Sequence, residues 1–195
     1  MQSNVCKIEK GATVLDEIIL ESEKVARYND LGRKETLQLR LLCEELISML
    51  PSIISDFSGE VWIDSIDNNY EICLKVVVDS MDVVTREQLI KVSKENKNSS
   101  VVGITGKIRA VFDYMLMSDS YPMLAPAGRY GLYAGMDYSQ IWSLQQYKDS
   151  IDNRSDEDSE KKDELERSIL VKLADDVTVG VKGKSVSIII KKRFA

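Results

Sequence analysis

The stretch LRLLCEELISMLPSII, residues 39–54, sets two adjacent carboxylates inside an otherwise apolar run. On a helical wheel of about 100° per residue, Leu39, Leu42, Leu46, Leu50 and Ile53 form one stripe. Glu44 falls well away from that stripe, beside Ser48, where water solvates it. Glu45 falls at the edge, next to Leu42 and Met49. A carboxylate at such a border loses part of its hydration, which raises its pKa towards what a general base needs near neutrality. The same spacing fits a purely structural glutamate that extends to water or meets a lysine. Spacing alone leaves both readings open.

Other acid–base groups are few, because the chain has no histidine. That excludes Ser-His-Asp and Cys-His sites, imidazole metal ligands and phosphohistidine acceptors. The three cysteines, Cys6, Cys43 and Cys73, are odd in number and widely spaced. They read as reduced thiols of a cytoplasmic protein, with Cys43 and Cys73 as small core residues. The net charge of −6 speaks against general nucleic-acid binding, which needs a basic surface to neutralise phosphate. No apolar run reaches bilayer length, and MQSNVCKIEKG has no signal-peptide core, so no membrane partner is expected. A chain of 195 residues buries enough surface, roughly 70% of what its unfolded form exposes, to fold without metal or disulfide staples.

The elements that would position Glu45 follow from changes of period. TVLDEIILESEKVARYN, 13–29, has apolar residues near helical spacing and stops around NDLG. The second helix runs over about 34–54, with Pro51 predicting a kink or a stop near its end. GEVWIDSIDNNYEICLKVVVDS is two strands about a turn at Asp67, Asn68 and Asn69. In its second strand Tyr70, Ile72, Leu74, Val76 and Val78 face one way, and Glu71, Cys73, Lys75 and Val77 the other, as in a sheet with one wet face. A helix is expected over about 104–117, another at QIWSLQQYKDSI, and a further one near 164–173. VTVGVKGKSVSIIIKKRF reads as a final hairpin with its turn at Lys182-Gly183-Lys184. Four antiparallel strands flanked by helices predict an α+β fold, a two-layer sandwich with the helices on one sheet face.

Two further features carry chemistry. The second strand ends in an aspartate, LKVVVD, at Asp79. The loop GITGKI offers Gly103, Gly106 and Lys107 where a helix opens, the geometry of an anion site, though without the spacing of a P-loop. A glycine turn at a helix start explains the same residues without any ligand.

A Glu-bearing helix, an antiparallel pair ending in aspartate, then a glycine-bearing loop opening a helix: this order resembles the GHKL, or histidine-kinase-like, ATPase superfamily. It is most similar to the small bacterial anti-sigma-factor-type ATP-binding proteins. The resemblance covers about 35–115 and resumes in the final hairpin. It implies one GHKL-like domain over 1–195 with an extended insertion at about 118–165. It implies ATP or ADP as ligand, held by Asp79, Gly103, Gly106 and Lys107, with Glu45 as the catalytic base if the site is active. In the family an asparagine four residues after that glutamate supplies an oxygen to Mg²⁺. Met49 stands there, and a thioether suits that hard cation poorly, so Mg²⁺ binding is not expected. Were Glu44 the match instead, Ser48 would take the metal position. The family's Asp-x-Gly-x-Gly reads DSMDV here, so Met81 and Val83 replace both glycines and narrow the nucleotide's approach. The resemblance therefore implies a degenerate module that binds a protein partner. The alternative is an active anti-sigma-type serine/threonine kinase or ATPase. Homodimerisation stays open. The Tyr/Gly/Pro segment 118–139, with Tyr121, Tyr130, Tyr133 and Tyr138, reads either as a binding surface or as a loop packed on the sheet.

Overall fold

The computed structural model describes residues 1–9, 14–54, 56–78, 104–106, 108, 141–152, 168–182 and 184–194. The fold is α+β, with a six-stranded antiparallel sheet. The strands are β1 (Cys6–Glu9), β2 (Phe57–Ile66), β3 (Asn69–Val78), β4 (Ile141–Ser143), β5 (Asp176–Lys182) and β6 (Ser185–Arg193). Their order across the sheet is β1-β2-β3-β6-β5-β4. The helices are α1 (Leu15–Tyr28), α2 (Arg33–Ile53), α3 (Leu144–Asp152) and α4 (Ile169–Leu173).

The final hairpin shares one sheet with the first, as expected: Cys73 pairs with Ile189 and Val76 with Val186. Alternation then does what a half-buried sheet requires. Val61, Ile63, Tyr70, Ile72, Leu74 and Val76 are buried on one face, and Val177, Val179, Val186, Ile188 and Ile190 continue it. These residues and the apolar stripes of α1 and α2 form one core. In α2, Leu39, Leu42, Leu46 and Leu50 are all buried, each stabilising the fold by about 1.5–3 kcal/mol. α1 packs on α2 and β2, α2 on α4, and α3 on β4 and β5. Lys148 of α3 donates to the Val171 carbonyl of α4 at 3.3 Å. The helices thus lie in the order α1, α2, α4, α3 over the sheet.

Local chemistry explains the turns. α1 ends where Asp30 takes φ 52°, the left-handed region. The Asp30 and Leu31 amides then donate to the Arg27 and Ala26 carbonyls, a Schellman closure that Asp tolerates better than most side chains. At the β2–β3 turn Ile66 pairs with Asn69, and Asp67 and Asn68 have φ of 45° and 62°. That is the two-residue turn whose twist matches an antiparallel hairpin. Lys182 pairs with Ser185, so the last hairpin closes at its expected turn.

Three differences from the sequence reading are structural. The sheet has six strands rather than four, because β1 and β4 occupy its edges. QIWSLQQYKDSI is not helical throughout: Ile141–Ser143 pair with β5 before α3 begins. Ser143 makes the change of period, its Oγ accepting the Gln146 amide at 3.4 Å as a helix cap. α2, by contrast, matches its expected bounds: it stops at Ile53, two residues past Pro51, with Ile54 extended. α4 begins at Ile169 with Ser168 extended before it, so the helix expected near 164–173 is broken at Ser168, and 164–167 lie outside the described residues. Residues 104–106 and 108 are helical, while the other residues of the expected 104–117 helix and the segment 118–139 lie outside the described residues.

Candidate functional site

α2 positions the two glutamates differently. Arg40, one turn before, donates to Glu44 Oε1 at 2.8 Å and stands 3.7 Å from Glu23 of α1. The two neighbouring carboxylates hold the Arg40 guanidinium above its usual range, the Glu44 hydrogen bond most of all. Glu44 is therefore a tie between α1 and α2. Glu45 is half-buried and makes no ion pair or hydrogen bond to another described residue. Of the pair, Glu44 is engaged by Arg40, whereas Glu45 has no such partner among the described residues.

Met49, one turn beyond Glu45, belongs to the core and is 4% exposed. The α2 register thus places an apolar, shielded sulfur at the position to which the resemblance assigns a metal ligand. Cys43 and Leu46 flank the same buried arc. Ser48, the alternative metal position, is exposed. Among the described residues no group of three or more acidic or thiol side chains gathers to hold a metal ion.

The other expected site residues are less fully placed. Asp79, Gly103 and Lys107 lie outside the described residues, as do Met81 and Val83. The strand leading to Asp79 is well fixed: Val78 pairs with Phe57, and its amide donates to the Lys184 carbonyl at 2.9 Å. Gly106 is buried in the helical turn 104–106. Ile104 and Ile108, one turn apart, share the core with Met49 and Leu46. Met49, Val78 at the end of β3, and Ile104 and Ile108 about Gly106 thus share one core.

Sequence reasoning missed two polar centres. Glu21 of α1 is 6% exposed, yet sits in line with Ile18 and Val25. It accepts the Asn4 amide at 3.1 Å, Asn4 Nδ2 at 3.2 Å and Lys24 Nζ at 2.6 Å. Burial pushes its carboxyl up, but these donors together hold it below the ordinary glutamate range. An acid inside an apolar stripe was the available signal. Asp176 is the second: its Oδ1 accepts Ser143 Oγ at 3.0 Å and the Gln145 and Val177 amides at 3.1 and 2.8 Å. It fixes the start of α3 to β5, and like Glu21 it is occupied by structure.

The cysteines are free and buried. Burial raises the Cys6 thiol to about 11, with Glu17 and Glu21 adding to the shift. Burial pushes Cys43 higher still. Cys73 is raised to about 12 by burial and then by Asp64 and Glu71. Cys43 lies in the core as expected, whereas Cys73 is buried on the opposite sheet face, across from Trp62 and outside the core cluster. Its near neighbour Asp64 accepts Trp62 Nε1 at 2.8 Å.

Comparison with known proteins finds no matching family model, no matching curated protein and no matching solved structure.

Proposed function

We propose that this chain is a degenerate GHKL-like module that regulates by binding a protein partner, with weak or no phosphoryl transfer. The observation that carries the reading is the pairing of Glu45 with Met49 on α2. Glu45 keeps the half-buried position of a base, while the position of the metal ligand is filled by a core side chain. Phosphoryl transfer needs a cation to offset charge on the transferring group, and a buried thioether supplies none of that coordination. The sheet supports the reading as well, since its final hairpin pairs with β3 and shares one core with α2. ATP or ADP is the ligand that the resemblance implies, reached from Asp79 and the Gly103–Lys107 loop.

A second reading, an anti-sigma-type kinase or ATPase with Glu45 as base, draws on one observation. Glu44 is engaged by Arg40, and Glu45 has no ion pair among the described residues, so this reading takes Glu45 as the proton acceptor. Steady-state ATP hydrolysis and nucleotide titrations with and without Mg²⁺ separate the two. The module reading expects nucleotide affinity that changes little with Mg²⁺ and no turnover above background. Mg²⁺-dependent turnover that Glu45→Gln abolishes would overturn it, because an amide cannot take the proton.

A further inference from the structure

We draw no further inference here: the strongest candidate, the open sheet face carrying Trp62, Ile66, Val77, Ile141 and Ile189 opposite the helices, is an unpartnered apolar face, and nothing in the structure shows what covers it.

Discussion

Replacing Met49 with asparagine puts inside the core the side chain that the proposed GHKL-like reading would require of a metal ligand. The thioether is 4% exposed, so its removal forfeits about 1.5–3 kcal/mol of burial. The incoming amide has no assured partner there, and burying it costs a further ~1–3 kcal/mol. Residue 49 stands at the Glu45 edge of the buried arc, where an amide can turn partly towards water. The expected loss is therefore in the lower part of that sum, about 3 kcal/mol. For a domain of this size each kcal/mol moves the melting temperature by about 2–4 °C, so Met49→Asn should melt about 6–12 °C lower. Thermal melts and urea titrations of Met49→Asn beside Glu45→Gln make the comparison. The glutamine variant should stay within ~0.5 kcal/mol of the parent, since it keeps size and touches no packed apolar group. A Met49→Asn protein that melts with the parent would refute the argument. It would mean that residue 49 faces an open cleft, and the case against a metal ligand at that position would fall with it.

Glu21→Gln should remove part of the acid sensitivity of the fold. Its carboxyl is held below the ordinary glutamate range, so the stability it contributes is complete at neutral pH and is lost as pH falls through the folded-state value. Urea midpoints from neutral pH down through the carboxylate range should converge for parent and variant at the acid end; curves that stay parallel would refute the assignment. Gly59→Ala should destabilise by about 2–3 kcal/mol, because a Cβ there would stand 2.8 Å from Val76 Cα and closer still to the Lys75 carbonyl. β2 is held between β1 and β3 and cannot retreat, so a circular-dichroism melt equal to the parent's would contradict the register. A soluble thiol reagent near pH 8 should label none of the cysteines in the folded protein and all three in denaturant, since burial keeps each thiol protonated. Rapid labelling of Cys43 under native conditions would show that α2 is not packed as described.

What could be read in advance was what a long period encodes. The alternation through Tyr70, Ile72, Leu74, Val76 and Val78 carries enough repeats to fix a face, and each of these residues is buried. The leucine stripe of α2 likewise fixed where Glu45 and Met49 stand. β1 and β4 escaped because strands of four and three residues carry no period of their own. They become strands only because the edges of β2 and β5 offer unpaired amides and carbonyls. The Glu44–Arg40–Glu23 tie was hidden for a related reason, since it depends on how α1 and α2 slide against each other. Glu21 was hidden because its main-chain partner, Asn4, approaches from a separate segment that no helical wheel contains. Cys73 shows the opposite failure: its sequence neighbours correctly put it on the wet face, and cross-strand Trp62 and the flanking side chains remove it from water all the same.

The strand order has a kinetic meaning. Each half of the sheet is a local hairpin, β2–β3 and β5–β6, whose turn brings its own strands together within a few residues. The two halves meet along β3 and β6, where Val77 pairs with Ser185 roughly a hundred residues further along the chain. Closing a loop of that length costs about 4 kcal/mol of chain entropy beyond the constant term. Each hairpin is therefore expected to form early, with docking after the long closure as the expected slow step, which stopped-flow refolding checks. The same logarithm makes the join tolerant: doubling the intervening chain would add only about 0.6 kcal/mol. Lengthening a loop between the hairpins is then far gentler on the sheet than moving a single residue across the β3–β6 seam, which would turn the buried face of half the sheet towards water.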